Sequence, residues 1–181
     1  MFKKTIAVIL AVFMLAIAGC APDGGKSKGG TDTPPSTEQQ VKGEKYTVYR
    51  APASGEEYLI KETAIYDAPE GENREVAALN AMITTKPADS KKAVNLFPEG
   101  TKVLGVKVEK GVAYVNFNKA FAKKGQGSYN ERMMVNAVVC SLTDNKDITK
   151  VKFLVEGKPL DTLGHMDMLD PLTRNPDILK H

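Results

Sequence analysis

The sequence of 181 residues contains no tryptophan, only two cysteines and only two histidines. Small secreted domains commonly depend on several disulfides, and two cysteines cannot supply such a framework. A buried apolar core must therefore stabilise the fold, and the chain is long enough for one domain. Aromatic residues make up 7% of the chain, which gives little support to a carbohydrate-binding surface built from stacked rings.

Two common nucleotide-binding motifs are also absent, because the sequence has neither a P-loop nor a dinucleotide-binding fingerprint. A hydrolytic triad needs a nucleophile, a base and an orienting group brought together. His165 is the only histidine before His181, the last residue of the sequence. We therefore expect neither an enzyme nor a cofactor.

The charge balance argues against a nucleic-acid partner. The chain has 25 basic and 22 acidic residues, and removing Lys3 and Lys4 with the N-terminal segment leaves 23 basic residues and a net charge of +1. Nucleic-acid binding needs a concentrated basic surface. The pairs Lys91-Lys92 and Lys123-Lys124 are isolated from each other in the sequence, so we interpret them as solvated loop charges.

The first twenty residues have the pattern of a bacterial secretion signal. A short positive start precedes an uncharged apolar run over residues 6–18, which is too short to span a bilayer as a mature helix. The run ends in the letters IAGC, which resemble a lipobox with Cys20 as its cysteine. The resemblance implies a signal peptide over residues 1–19 and acyl chains such as palmitate on Cys20. The alternative is an ordinary secreted protein whose cleavage site contains this cysteine.

Residues 21–43 predict a flexible tether. They consist of glycine, proline, serine, threonine and charged residues, with almost no large apolar side chain. Such a segment cannot bury enough surface to offset the entropy lost on ordering. We therefore expect the lipidated Cys20 and a disordered tether over residues 20–43 to hold one folded domain, residues 44–178, at the extracytoplasmic face of the cell membrane.

The folded part begins with strand patterns. Residues 45–50 and 58–66 are rich in β-forming side chains and predict a β-hairpin. Residues 73–87 then place apolar side chains at helical spacing, with Asn73 as N-cap and Pro87 at the end of the helix.

A second hairpin is predicted from residues 101–108 and 112–117. Apolar side chains alternate along both segments, and Gly111 between them can adopt the positive φ of a tight turn.

The second helix is predicted over residues 128–144, with Ser128 and Glu131 as a capping box and Cys140 in the apolar pattern as a buried, unreactive side chain. Residues 150–157 predict the last strand. The order β-hairpin, helix, β-hairpin, helix, strand predicts an α+β fold. We expect a small mixed or antiparallel sheet with both helices packed on one face.

Two segments of the chain resemble the GerMN domain of sporulation and germination proteins. The likeness lies in the letters PEGT before a strand, the hairpin VEKGVAYVNF, the helix that follows, and the strand and turn VKFLVEGKP. It covers residues 44–178 and is strongest from Pro98 onward. The resemblance implies a ring-building-motif-like fold, a lipoprotein or membrane-anchored protein, and a role in extracytoplasmic assembly without known catalysis.

The segment LGHMDMLDPLTRNP, residues 163–176, holds the residues that most resemble a metal site. His165, Asp167 and Asp170 are suitable ligands for zinc or manganese. A site usually gathers its ligands from separate elements, so we favour a structured tail without a metal, in which Arg174 pairs with Asp167 or Asp170. The letters GQGS at residues 125–128 leave an anion site at a helix start open.

Three functions remain as hypotheses. The first is a lipid-anchored interaction module that helps to assemble an envelope complex, with an unidentified protein partner or a second copy of itself, through the open sheet edge or exposed helix faces. The second is a lipoprotein that binds a small ligand or a cell-wall fragment in a concave pocket. The third, a metal-dependent enzyme built on His165, Asp167 and Asp170, is the one we favour least.

Overall fold

A computed structural model describes residues 42–179. The predicted signal peptide, Cys20 and most of the predicted tether lie outside these residues. The helices are α1 (Arg74–Thr84) and α2 (Ser128–Leu142), and a 3-10 turn spans Pro176–Ile178. The strands are β1 (Glu44–Pro52), β2 (Ile60–Tyr66), β3 (Ala93–Val94), β4 (Val103–Glu109), β5 (Val112–Phe117), β6 (Lys150–Val155), β7 (Lys158–Pro159), β8 (Thr162–Leu163), β9 (Met166–Asp167) and β10 (Leu172–Thr173).

The predicted N-terminal hairpin is confirmed and forms one sheet. β1 and β2 are antiparallel from the pair Glu44 and Tyr66 to the pair Arg50 and Ile60. The short strand β3, which no sequence pattern indicated, pairs with the end of β1 and gives the order β2-β1-β3. β1 is buried along most of its length, which is typical of a strand covered on both faces.

The second sheet has the order β10-β6-β5-β4, with β7 paired to β6. The predicted hairpin of β4 and β5 is confirmed, and Lys110 and Gly111 turn it with φ values of 49° and 80°. Positive φ at both positions is the signature of a type I′ turn. β5 and β6 are parallel, and α2 connects them. The expected α+β fold with a mixed sheet is therefore present, but its strands are divided between two principal sheets.

α2 is the central element of the core. Ten of its 15 residues are buried, whereas the sequence predicted a single apolar face. The physical reason is that α2 contacts β1 of the first sheet and β6 of the second, so both sides of the helix meet apolar surfaces. Cys140 is a free, fully buried side chain on this helix, as predicted, and burial raises the pKa of its thiol.

The two helix starts differ from each other. Asn73 caps α1 as predicted, because its side-chain oxygen accepts from the amide of Val76 at 2.8 Å. The predicted capping box of α2 is wrong. Gly127 is the N-cap, with φ of 88° and no side-chain cap, and Ser128 is the first helical residue. Glu131, in the first turn, is buried, and its carboxylate lies against Gly164.

The tail after β7 is structured, as the sequence analysis favoured. β8 and β9 form a small hairpin, β10 joins the second sheet, and Ile178 O accepts from the amide of Leu59 at 2.6 Å. The tail therefore connects the second sheet back to the first hairpin. No helix within residues 42–179 is long and apolar enough to cross a membrane.

Candidate functional site

The three candidate metal ligands of the tail, which the sequence analysis did not favour as a site, are not assembled into a ligand set. His165 lies in the turn between β8 and β9, Asp167 accepts the amide of Leu169 at 2.8 Å, and Asp170 is exposed. Across the described part of the chain, no group of three or more His, Cys, Asp or Glu side chains could hold a metal ion.

His165 and the GQGS segment, which are well separated in the sequence, border the same surface cleft of about 500 Å³. We call it the α2 cleft, because it opens at the start of α2. One wall is the loop before the helix and its first turn, and the other wall is the β8–β9 hairpin. Its lining residues are Ala122, Lys123, Lys124, Gly125, Gly127, Ser128, Glu131, Thr162, Leu163, Gly164 and His165.

Glu131 supplies the unusual chemistry of this cleft. The residue is only 5% exposed, yet it lines the cleft. None of the hydrogen bonds or ion pairs found between residues 42 and 179 uses its side chain, although its backbone amide donates to Gly127 O at 3.1 Å. The carboxylate oxygens are not among the fully enclosed, unpartnered side-chain atoms of the described residues, so they are reached from the cleft. The first turn of α2 favours an acidic group there, because it is the positive end of the helix dipole.

Gly164 lets the two walls approach each other. It has φ of 56° at the first position of the two-residue turn between β8 and β9, the place that glycine takes in type II′ hairpins. A Cβ at this position would overlap the carboxylate of Glu131. Only glycine therefore lets the hairpin pack directly against that carboxylate. No sequence pattern indicated this contact, since it joins residues far apart in the chain.

Positive charges lie at the border of the α2 cleft. Lys123 and Lys124 line it from exposed positions in the loop before α2. The cleft thus combines a buried acidic group with exposed basic groups, and the hydroxyl groups of Ser128 and Thr162 complete its polar lining.

A second polar cluster has a structural role. Asp144 accepts from Arg174 at 2.6 Å and from the hydroxyl of Tyr49 at 2.9 Å, and it pairs with Lys61 at 2.9 Å. The prediction that Arg174 pairs with Asp167 or Asp170 is therefore wrong. Arg174 also donates to Cys140 O at 2.7 Å. The cluster ties the tail to the end of α2 and to the first hairpin.

The β4 edge, which we define as the free side of strand β4, is an exposed apolar surface. β4 ends the second sheet, and its side chains Leu104 and Val108 are 50% and 41% exposed. Along an antiparallel strand, every second residue directs its backbone N–H and C=O groups away from the paired strand. Counted from the hairpin turn, these residues of β4 are Val106 and Val108. Asn73 Nδ2 donates to one of them, Val106 O, at 3.1 Å.

The family model named Germane, described as "Sporulation and spore germination", matches residues 47–161. The chain belongs to this family. The GerMN resemblance stated above is therefore confirmed, and the family description names no enzymatic activity. Among curated proteins, no significant match was found.

Three solved structures share the fold of this chain. The tandem GerMN domains of GerM from Bacillus subtilis superimpose with a TM-score of 0.62 at 22% identity over 81% of this chain, which spans 50% of theirs. The first GerMN domain of that protein gives 0.58 at 24% identity, covering 72% of this chain and 98% of the domain. A Clostridium perfringens structure, provisionally described as a lipoprotein, gives 0.52 at 18% identity and covers 78% and 95%. At these identities the likeness concerns the fold.

Proposed function

We propose that this GerMN-family protein is a lipid-anchored interaction module that helps to assemble an extracytoplasmic envelope complex related to sporulation or germination. The β4 edge carries this proposal. Two of the four exposed large apolar side chains in the described part of the chain, Leu104 and Val108, lie on this one strand. Apart from Val106 O, which Asn73 already occupies, its outward backbone groups can receive a strand from a protein partner or from a second copy.

Other observations agree with an anchored binding protein. The resemblance of the sequence around Cys20 to a lipobox supports a membrane anchor, and the provisional lipoprotein description of the structure from Clostridium perfringens agrees with it. A metal-dependent enzyme receives no support, because the described residues contain no suitable group of ligands. Ligand binding stays as a second candidate function, since the α2 cleft has the converging polar groups that it requires.

The test is site-specific crosslinking in cells. A photoreactive residue replaces Val108 in the full-length protein, and another replaces Ile65, an exposed apolar residue on the edge strand β2 of the other sheet. We expect a discrete crosslinked protein from position 108 and not from position 65. Cys20→Ala should weaken the crosslink by releasing the chain from the membrane. Equal crosslinking from both positions, or none from position 108, would contradict docking at the β4 edge.

A further inference from the structure

We propose that the α2 cleft binds a small zwitterionic ligand, whose ammonium group contacts the Glu131 carboxylate and whose carboxylate lies near Lys123 and Lys124. This site is separate from the β4 edge and adds a ligand to the assembly role. Three observations carry it: the cleft of about 500 Å³, the Glu131 side chain in its wall, which is 5% exposed and has no ion-pair partner, and the basic residues at its border.

The ammonium end follows from Glu131. A glutamate residue that is only 5% exposed normally has a hydrogen-bonded or charged partner. Of the ion pairs formed within residues 42–179, none includes Glu131. An ammonium group brings three donors and one positive charge, so it can pair with the carboxylate and donate to the hydroxyl oxygens of Ser128 or Thr162.

A metal ion fits the site less well than an ammonium group. Zinc, calcium and manganese take several protein ligands. The cleft offers one carboxylate and one imidazole, from Glu131 and His165, and no group of three such ligands occurs in the described part of the chain.

The position of the ligand's carboxylate follows from where the cleft carries its charges, negative inside and positive at the border. Glu131 is buried, whereas Lys123 and Lys124 are exposed at the border. A ligand with two positive ends, such as a diamine, would place its second charge near these lysines and be repelled. A zwitterionic ligand that binds with its ammonium group inward places its carboxylate next to the two lysines, whose charges attract it.

The cleft has the volume of a small-molecule site, since such sites measure roughly 300–1,000 Å³. An ammonium and a carboxylate occur together in a free amino acid and in a short peptide with free ends. The two sources share the recognition chemistry, and probes of different length distinguish them.

Isothermal titration calorimetry on the full-length chain in detergent tests the proposal with four probes: trialanine, its N-acetyl form, its C-terminal amide and free alanine. We expect trialanine or alanine to bind, and the better binder indicates a peptide or a free amino acid. Acetylating the amine should weaken trialanine binding at least tenfold. The amide, which lacks the negative end, should bind at least threefold more weakly.

Variants test the same contacts from the protein side. Glu131→Gln keeps the shape of the side chain and should weaken binding at least tenfold, whereas the matched control Glu99→Gln, an exposed residue outside the cleft, should not change it. Replacing Lys123 and Lys124 with alanine should weaken binding at least threefold and reduce its salt dependence. Thermal melts confirm that each variant is folded.

Several results would overturn the proposal. These are no heat from any probe at about 10 mM, where a site with a millimolar Kd is nearly saturated; equal binding of the acetylated peptide; or unchanged binding by folded Glu131→Gln. Because the probes do not involve the β4 edge, failure here leaves the crosslinking result unaffected, and the reverse also holds.

Discussion

Asp144 joins three separate parts of the chain through one carboxylate. Its partners are Tyr49 on β1, Lys61 on β2 and Arg174 after β10. Burial by itself would raise the pKa of Asp144, but hydrogen bonds from Lys61, Arg174 and Tyr49 outweigh it and lower the pKa below the usual value. The ionised form is therefore the form that the folded protein stabilises.

The stability of the domain should consequently depend on pH through Asp144. Because its folded-state pKa lies below the unfolded value of about 3.9, the ionised carboxylate stabilises the fold above about pH 4, and this contribution is lost as the pH falls through the folded-state pKa. We expect Asp144→Asn to lower the free energy of unfolding by about 1–3 kcal/mol at neutral pH. Urea denaturation should show that the difference shrinks as the pH falls below about 4. The control Asp170→Asn changes an exposed carboxylate, and a pH-independent effect of Asp144→Asn would contradict the assignment.

Gly164 provides a second test at the scale of single residues. A Cβ there would overlap the carboxylate of Glu131 and would also sit on a left-handed backbone. We expect Gly164→Ala to destabilise the domain by about 2–5 kcal/mol, the sum of overpacking and backbone strain. Gly125→Ala is the matched control, because Gly125 has φ of 84° but nothing within 4 Å of the added Cβ. In a Glu131→Ala background, the cost of Gly164→Ala in urea denaturation should fall to the cost of Gly125→Ala. A cost that does not change would show that the carboxylate does not fill this space.

At the scale of elements, one arginine joins β1 to the end of α1. Arg50 is 2% exposed, pairs with Glu62 at 3.0 Å, and donates to Met82 O at 2.9 Å and to Thr85 O at 3.1 Å. These carbonyls belong to the last turn of α1 and its C-cap, where helix geometry leaves acceptors free. The arginine thus replaces the helix bonds that are missing there.

Replacing Arg50 should lower the free energy of unfolding more than replacing an exposed arginine. We expect Arg50→Met to lower the free energy of unfolding by about 3–5 kcal/mol, because Glu62 and two carbonyls lose a buried partner. Adding Glu62→Gln should restore part of the loss by removing the uncompensated charge. Arg74→Met is the control and should lower the free energy of unfolding by about 1 kcal/mol or less. The Arg74 side chain is 72% exposed and lies as far as 4.0 Å from the carboxylate of Glu44. Guanidinium denaturation measures the free energy of unfolding of the unchanged chain, the two single arginine variants and the double variant. Equal losses from Arg50→Met and Arg74→Met would contradict the role of Arg50.

Local patterns predicted the elements whose causes are local. The cap at Asn73, the turn at Gly111 and the alternation along β5 depend on neighbouring residues, and each is present. The cap of α2 was mispredicted because Glu131 meets Gly164, a contact between residues far apart in sequence. The two-residue strands of the tail were missed for a related reason, since they have too few residues to show a period.

Sequence patterns likewise indicated some residues of the candidate site and missed others. Sequence patterns singled out His165 and the GQGS segment, and both border the α2 cleft. Glu131, the buried residue between them, was assigned to helix capping. Spacing alone cannot show that its side chain faces a hairpin 33 residues later, at Gly164. Arg50 and Asp144 were missed because charged residues in a sequence are normally exposed.

At the scale of the whole molecule, the folded unit extends beyond the family match. The match ends at residue 161, but Leu163, Met168 and Ile178 are all buried in the core. Lys152 donates to the carbonyls of Met168 and Leu169 at 2.8 and 2.5 Å. The tail also carries Gly164 and His165, which form one wall of the α2 cleft. The tail therefore contributes to stability and to the candidate site together.

Deleting residues 162–181 from the full-length chain should therefore unfold most of the domain. Burying a large apolar side chain stabilises by about 1.5–3 kcal/mol, so the loss of Leu163, Met168 and Ile178 alone removes about 5 kcal/mol or more. That amount approaches the total stability of about 5–15 kcal/mol that is typical of a folded protein. A matched deletion of residues 180–181 leaves Leu179 and the described tail in place and should not change the unfolding midpoint. Circular dichroism during guanidinium denaturation compares the three chains. A cooperative transition at an unchanged midpoint after the longer deletion would show that the tail is an appendage and that the domain ends near residue 161.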